Sequence, residues 1–295
     1  MKILLIVLLF LLTLNLQAFD WSLKLDASKY STNNVYSETS NPTKDTYTLL
    51  AANLQLKTET TKFRLKLKTE SYTQTDDNNN QTVSGGLTYK PNKLREYTLD
   101  LYKQIYTSTP AVSADQASDN TGFKVGATFS KEYNKDKVGY FSLMGNFKSY
   151  TKISNRQDAI IDAIFGLENT YSEKLLLIPE LTFEFNNSTD SYYTNFNVGP
   201  SLSSSYFFSE DLEFFFNLLL SHTRYSTRTF SKDSGNRTLN VKEYQSLFST
   251  DIGFVYNIFS NFHLTAKYSS QRNSSNNPTS PYQTKITGLN LGYKF

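Results

Sequence analysis

Apolar and polar residues alternate one by one along most of this chain after residue 18. Residues 123–129 read Phe-Lys-Val-Gly-Ala-Thr-Phe, and residues 289–295 read Leu-Asn-Leu-Gly-Tyr-Lys-Phe. Successive side chains of a β-strand point to opposite faces, so this period of two indicates strands with one apolar and one polar face. No convincing helical period of 3.6 follows residue 18. The pattern predicts an all-β protein.

The first eighteen residues differ from the rest. Lys2 precedes an apolar run of about a dozen residues at 3–14, and Gln17-Ala18 offers a cleavage site that ends in a small residue. This build predicts a cleaved secretory signal peptide over residues 1–18 and a mature domain over residues 19–295. The alternative is an uncleaved N-terminal anchor, for which the apolar run is short. We therefore expect an exported protein without a helical membrane anchor.

The segments between the predicted strands fall into two sets. One set holds short turns such as 58–60, 91–93 and 134–137, and the other holds longer stretches rich in Asn, Ser, Thr and Asp, such as 107–121 and 228–240. Short and long connections alternate strictly along the chain. Tight turns at one end and larger loops at the other are typical of a transmembrane antiparallel up-and-down β-barrel.

About fourteen strands are predicted, and an even number brings both chain ends to the same side of the membrane. Twelve is the alternative, because the stretch from Leu175 to Ser205 alternates least cleanly. Pro179 and Pro200 fall inside predicted strands, where they indicate a bulge or misplaced boundaries. The predicted strands cover residues 19–30, 46–57, 61–75, 81–90, 95–106, 122–133, 138–151, 157–170, 175–186, 191–206, 212–227, 241–257, 262–271 and 283–295.

The composition fits a membrane barrel better than a soluble domain. Hydrophobic residues make up only 38% of the chain, yet aromatic residues make up 15%, with 21 Tyr and 22 Phe. Half of the strand residues of such a barrel face water, and aromatic side chains form girdles at the two membrane interfaces. Girdle candidates are Tyr30, Tyr47, Tyr72, Tyr89, Tyr97, Tyr133, Tyr140, Tyr150, Tyr192, Tyr206, Tyr225, Tyr244, Tyr268 and Tyr293.

Several classes of function are disfavoured by what the chain lacks. It has no Cys, which excludes a disulfide scaffold, a Cys-ligated metal and a Cys nucleophile, and its two His make a multi-His metal site improbable. The net charge of +3 provides no strong basic field for nucleic acid. We expect no cofactor, no metal and no nucleic-acid partner.

The C-terminal segment carries a family resemblance. Apolar or aromatic residues stand at Leu289, Leu291, Tyr293 and Phe295, and the last of these ends the chain. This segment resembles the last-strand signal of bacterial outer-membrane proteins, which the barrel-assembly machinery recognises. The resemblance implies an outer-membrane location among bilayer lipids and lipopolysaccharide. Fourteen-strand relatives include monomeric porins and channels for fatty acids or aromatic hydrocarbons, and no motif assigns this chain to one of them.

The predicted lumen-facing charges separate into two groups, the basic wall and the acidic wall. The basic wall comprises Lys24, Lys57, Lys62, Arg64, Lys66, Lys68 and Lys267, with Lys294 beside them. The acidic wall comprises Asp158, Asp162, Glu168, Glu180, Glu184, Glu213 and Asp251. Opposed walls resemble the transverse field of general porins, which favours polar solutes. The alternative is that these charges hydrate the interior or pair with one another, with Asp26 as the partner of Lys66 and Lys68.

An enzyme is the weaker interpretation. His222 shares the phase of the apolar outer band, near Ser221, Ser226 and Asp233, and an interfacial His explains it more simply than a nucleophile–base pair. His263 has the phase of the lumen near a short turn. Neither His stands in a known catalytic motif.

The sequence thus predicts an outer-membrane channel for passive diffusion of small polar solutes. One alternative is a channel for hydrophobic or aromatic substrates, which would need a plug for which the chain start leaves no room. A second is a structural or adhesive barrel that acts through its surface loops. A third, a soluble secreted β-sandwich, conflicts with the apolar last strand.

Overall fold

The computed structural model describes residues 20–35, 42–106, 119–151, 156–234 and 237–295, and the predicted signal peptide at 1–18 lies outside this part of the chain. Fourteen strands make up most of it. They are β1 (Asp20–Thr32), β2 (Asp45–Lys57), β3 (Thr61–Tyr72), β4 (Asn80–Asn92), β5 (Arg95–Tyr106), β6 (Asn120–Asn134), β7 (Lys137–Tyr150), β8 (Gln157–Tyr171), β9 (Leu175–Ser188), β10 (Asn195–Phe207), β11 (Leu212–Ser234), β12 (Arg237–Phe259), β13 (Phe262–Ser275) and β14 (Tyr282–Lys294). Single 3₁₀ turns lie at Asp76–Asn78 and Ser191–Tyr193.

The strands form one closed antiparallel barrel in which each pairs with its neighbours in sequence. β1 closes the ring against β14, with Lys24 opposite Lys294 and Thr32 opposite Ile286. The predicted fold class is therefore confirmed, with fourteen strands rather than twelve. Among the described residues, no helix is long and apolar enough to cross a membrane.

The two ends of the barrel differ. The turn end carries the first residue of β1, the last of β14 and connections of two to four residues; the loop end carries most of the longer ones. At the turn between β8 and β9, Ser172 and Glu173 both have positive φ (50° and 59°), and Lys174 N donates to Tyr171 O at 3.2 Å. Two left-handed residues give a type I′ turn, whose twist matches that of the strands it joins.

One predicted loop is wrong. Residues 228–240, expected to form a surface loop, mostly continue β11 and β12, two paired strands of 23 residues each that end at Ser234 and begin at Arg237. The register shifts between Arg224 and Thr229, where the hairpin leaves the regular ladder. Strand pairing thus extends beyond the length that the other strands show.

The two prolines inside strands mark neither misplaced boundaries nor a register shift. Pro179 pairs with Leu202, and Pro200 pairs with Leu181, across one continuous register between β9 and β10. On its other side, Pro200 and the preceding Gly199 have no register partner in β11, although the register is the same before and after them. A proline removes a ladder donor, so each strand loses pairing on one side only.

The outer face of the barrel is an apolar band. Large side chains that alternate in phase along the strands are strongly exposed, among them Leu50 (54%), Leu101 (61%) and Phe165 (50%). A surface of this kind on a closed barrel is matched by lipid rather than by water.

Six of the fourteen predicted girdle tyrosines face the lumen instead, so that part of the prediction is wrong. Tyr89, Tyr97, Tyr133, Tyr206, Tyr244 and Tyr268 are exposed, and the strand registers place them in the outward phase. The opposite, lumen-facing phase holds Tyr30, Tyr47, Tyr72, Tyr140, Tyr150 and Tyr225. Tyr30, Tyr47 and Tyr72 stack in a row across β1, β2 and β3, with ring centroids 5.1 Å and 4.8 Å apart. The high tyrosine content therefore serves both faces.

The two faces can be compared at adjacent alanines in the middle of β2. Ala52 lies opposite Leu25 and Leu67 on the outer face, whereas Ala51 lies opposite Asp26 and Lys68 on the inner face. We expect Ala52→Arg to lower the free energy of unfolding by about 2–4 kcal/mol, because it places a charge in the lipid band. Ala51→Arg should change it little. Urea unfolding in lipid vesicles measures both, and equal losses would contradict this assignment of faces.

Candidate functional site in the barrel lumen

The residues of the basic wall share the inner face of β1, β2, β3 and β13. Lys62, Arg64, Lys66 and Lys68 follow one another on β3, because every second residue of a strand points to the same side. Lys57 lies opposite Lys62 in register. Lys24 and Lys294 are likewise opposite each other across the closing seam. Like charges in directly opposed positions repel, so this arc carries a concentrated positive field.

Part of the basic wall is neutralised locally. Arg64 donates to Asp100 at 3.0 Å, Lys68 pairs with Glu70 at 2.5 Å and Lys267 pairs with Asp251 at 2.9 Å. Lys57, Lys62 and Lys66 form no ion pair with any described carboxylate.

The predicted alternative partner of Lys66 and Lys68 is occupied by other groups. Asp26 lies 3.3 Å from Lys24 and 3.6 Å from His263 Nε2. Lys68 instead pairs with Glu70, two residues further along its own strand. That alternative is therefore wrong in its partners, although pairing within the lumen does occur.

Most residues of the acidic wall lie on the inner face of β8 and β9. Asp162 is opposite Glu184, and Asp162 Oδ1 is a buried oxygen without a hydrogen-bond partner. Glu180 is held by Tyr140 OH at 2.5 Å and by Ser201 Oγ at 3.1 Å. Glu168 lies opposite Val138 in the same phase. β8 and β9 are five or more strands away from β1–β3 in either direction round the ring of fourteen, so the two arcs face each other.

The remaining carboxylates of the acidic wall form ion pairs or hydrogen bonds with neighbouring side chains. Asp158 forms a two-pronged ion pair with Arg156, at 3.0 Å and 2.7 Å. Glu213 accepts from Ser205 Oγ at 2.5 Å. Asp251 of β12 pairs with Lys267 of the neighbouring strand, so the two walls meet there rather than face each other.

Sequence reasoning missed two lysines near the acidic wall. Lys124 lies opposite Asp100 between β5 and β6, and Lys148 lies opposite Asp158 between β7 and β8. Their phase within the strand was sufficient to find them.

Apolar residues in the lumen were missed as well. Met144 is opposite Asp162, and Ile160 and Ile164 stand two residues to either side of that carboxylate on the same face. The side of the lumen that carries Asp162 is therefore partly apolar.

Arginines and tyrosines stack on one another at the loop end of the barrel. The Arg156 guanidinium is 3.4 Å from the centroid of the Tyr193 ring and 4.5 Å from that of Tyr150. Arg228 stacks in the same way on Tyr192 and Tyr225, at 4.1 Å and 4.0 Å. Cation–π contacts of this kind tie the 3₁₀ turn after β9 to the wall of the barrel.

A buried carboxylate forms a hydrogen-bond network at the loop end of the barrel. Glu243 of β12 accepts hydrogen bonds from Gln245 Nε2 (2.7 Å), Asn277 Nδ2 (3.1 Å) and Ser280 Oγ (2.8 Å). Its network attaches the connection between β13 and β14 to the wall and helps to hold the mouth of the lumen in one shape.

The lumen charges are accessible to water. Side chains of the four ion pairs formed by Lys24, Arg64, Lys68 and Lys267 are between 16% and 42% exposed although they point inward. At the turn end, a polar cavity of about 700 Å³ is lined by Lys57, Lys62 and Arg64 among others. Within the described residues, every strand belongs to the wall and none crosses the interior.

The two histidines lie on opposite faces. His222 points outward with Leu220, and its Nδ1 is 3.0 Å from Ser246 Oγ; Ser221 points to the other side of the strand. His263 faces the lumen beside Asp26. No group of three or more metal-ligating side chains occurs within the described part of the chain.

The residues of the C-terminal signal lie on the outer face. Leu289, Leu291 and Phe295 are strongly exposed there, and the Tyr293 ring packs against Phe262 and Phe295 at 5.0 Å and 4.5 Å. Phe295 N donates to Leu23 O at 2.9 Å. The segment thus forms an aromatic edge beside the seam that closes the barrel.

The fold is that of bacterial outer-membrane β-barrel proteins. One similar structure is described as a bacterial polysaccharide outer membrane secretin: it is 11% identical, has a TM-score of 0.60, and aligns over 92% of this chain and 98% of its own. The CymD monoaromatic hydrocarbon channel is 9% identical (TM-score 0.53, 93% and 88% covered). Pseudomonas putida OprB is 8% identical (TM-score 0.50, 94% of both chains). No protein family and no curated protein sequence matches the chain.

The absence of native Cys allows a direct test of the lumen. Ser84 lies between Lys66 and Tyr102 on the inner face of β4, and its neighbour Val83 faces outward. We expect Ser84→Cys in the folded barrel to react with a charged, membrane-impermeant methanethiosulfonate, because the thiol meets water. Val83→Cys in lipid vesicles should stay unmodified until the protein is unfolded. Mass spectrometry reads the adduct, and protection of Ser84→Cys would show a filled lumen.

Proposed function

We propose that this protein is an outer-membrane channel for the passive diffusion of small polar solutes, and that it is not an enzyme. The single observation that carries this proposal is the inner face of the barrel, where Lys57, Lys62 and Lys66 remain unpaired opposite the Asp162–Glu184 pair. A barrel of fourteen strands encloses more space than an eight-stranded barrel, whose interior side chains fill. It encloses less space than the 16–18-stranded porins, which hold wide aqueous channels.

Opposed charges select solutes by orienting dipoles. Water and polar solutes align in the field between the two arcs, whereas an apolar solute gains nothing there and must displace ordered water. The apolar residues around Asp162 lower the local dielectric and so strengthen the field on that side. The lumen charges also weigh against the alternative of a channel for hydrophobic substrates, since its path would be lined by apolar groups.

The proposal predicts conductance with charge-dependent selectivity. Purified protein in a planar bilayer should give stable conductance steps. Lys66→Glu should shift the reversal potential in a salt gradient towards cation selectivity, and Asp162→Lys should shift it towards anions, because each variant changes the lumen by two charges. Lys66 forms no ion pair, so its replacement leaves no partner unpaired.

A control separates the lumen from the outer face. Lys103→Glu makes the same charge change at an outward position of β5, and it should leave the reversal potential unchanged. Folded, heat-modifiable protein without conductance would refute the channel and favour a structural or adhesive barrel. Unchanged selectivity in both lumen variants would refute the role of the walls.

Export and assembly form the second part of the proposal. Residues 1–18 would direct secretion, and the last strand would be recognised by the barrel-assembly machinery through Leu289, Leu291, Tyr293 and Phe295. The turn end then faces the periplasm and the loop end faces the exterior, as in barrels with short periplasmic turns.

We expect Phe295→Ser to reduce assembly in cells several-fold while leaving folding into vesicles in vitro nearly unchanged. Phe259→Ser is the matched control, because Phe259 is another exposed aromatic residue of the turn end (72%) that lies outside the last strand. Protease protection and heat modifiability in isolated outer membranes measure the assembled fraction. An equal loss in both variants would point to lipid packing rather than to a recognised signal.

A further inference from the structure

The outer face near the loop end carries a groove that conduction does not use. It has a volume of about 400 Å³ and lies across β10, β11, β12 and β13. Two registers of outward residues form it. The lower row contains Leu220, Phe248 and Arg272 in directly opposed positions, and the row above contains His222, Ser246 and Ser274.

The lower row of the groove is apolar except for Arg272, and the row above it is polar. Leu220 (44% exposed) and Phe248 (45%) continue the lipid band into its floor. Ser246 and Ser274 are small, so they leave a depression between His222 on one side and Arg272 on the other. A molecule that fits this shape has an apolar part on the membrane side and a polar head towards the exterior.

Four basic residues surround the groove without a compensating negative charge. Arg224, Lys242, Arg272 and Lys285 all occupy outward positions of β11–β14, and none forms an ion pair among the described residues. Below the register shift between Arg224 and Thr229, no described Asp or Glu occupies an outward position on these four strands. Unpaired cations gathered at a membrane interface attract an anionic headgroup.

Hydrogen bonds hold part of this arrangement in place. Arg224 Nε donates to His222 Nε2 at 3.5 Å, which leaves the other ring nitrogen facing Ser246 Oγ at 3.0 Å. The remaining guanidinium donors of Arg224 and those of Arg272 are free to bind a further acceptor. A phosphate offers several oxygens to such donors at once.

We propose that this groove binds a phosphorylated glycolipid of the outer leaflet, with its phosphate groups against Arg224 and Arg272 and an acyl chain over Leu220 and Phe248. The inference rests on the proposed outer-membrane orientation, in which the loop end lies in the outer leaflet, and it does not depend on conduction. His222, which the channel leaves without a role, positions Arg224 in this site.

The test is native mass spectrometry of the purified barrel with added bisphosphorylated lipid A. The wild type should retain one tightly bound molecule, and Arg224→Gln/Arg272→Gln should bind about thirty-fold more weakly, the effect of two lost interfacial charges. Ser246→Leu keeps every charge but fills the depression, and it should also weaken binding. Heat modifiability establishes that each variant is folded.

Lys103→Gln is the matched control, because it removes an isolated outward charge from β5 and should bind like the wild type. Lipid A from which the phosphates have been removed should bind wild type and double variant equally weakly. Equal affinity of the wild type and the double variant for the bisphosphorylated lipid would overturn the proposal. So would equal losses in the double variant and the control. Conductance is recorded separately, so failure of the channel and failure of this site are distinguishable.

Discussion

Backbone hydrogen bonding inside lipid is the constraint on which the rest of this structure depends. An unpaired N–H or C=O in the hydrocarbon region costs several kcal/mol, so an open sheet edge is not tolerated there and the ring must close. Here β1 pairs with β14 along nine successive positions, from Lys24 with Lys294 to Thr32 with Ile286. Once the ring is closed, every strand has two hydrogen-bonded neighbours, and one of its faces points into the barrel. The alternation of the sequence then decides which side chains meet lipid and which meet water.

Closure also explains why the lumen can hold so many charges. On the inner face, Lys66 lies one residue from Leu65 and Leu67, yet the strand itself separates the ammonium group from the lipid. The charges interact with one another across neighbouring strands instead, as Arg64 does with Asp100 and Lys267 with Asp251. Those pairs that form locally reduce the field, and those residues that stay unpaired maintain it. The net charge of +3 is therefore a poor guide to the lumen, where opposite charges are separated in space.

The phase of alternation predicted the fold, the number of strands and the inward direction of the walls, because lipid enforces alternation wherever a strand crosses it. The alternation does not predict the structure of segments that lie outside the membrane. The polar stretch 228–240 is predicted as a loop, since its sequence shows no regular alternation of apolar and polar residues. Tyr30 and Tyr47 were placed in a girdle from composition, although their phase pointed inward. Ion pairs such as Lys267–Asp251 needed the register between β12 and β13, which a single sequence does not contain.

A strand that faces water on one side and lipid on the other can form a separate set of interactions on each face. In β11, Leu219 and Ser221 face the lumen while Leu220 and His222 face outward, so neighbouring residues belong to different environments. A register slip of one residue would turn every inward side chain outward and every outward side chain inward. Such a slip is unfavourable because it would bury the polar groups of the inner face in lipid. Register is thereby held by the sum of many side chains rather than by any one. A single substitution in the lumen can therefore change the charge of the inner face without disturbing the outer groove, and a substitution in the groove can change the outer face without disturbing the lumen.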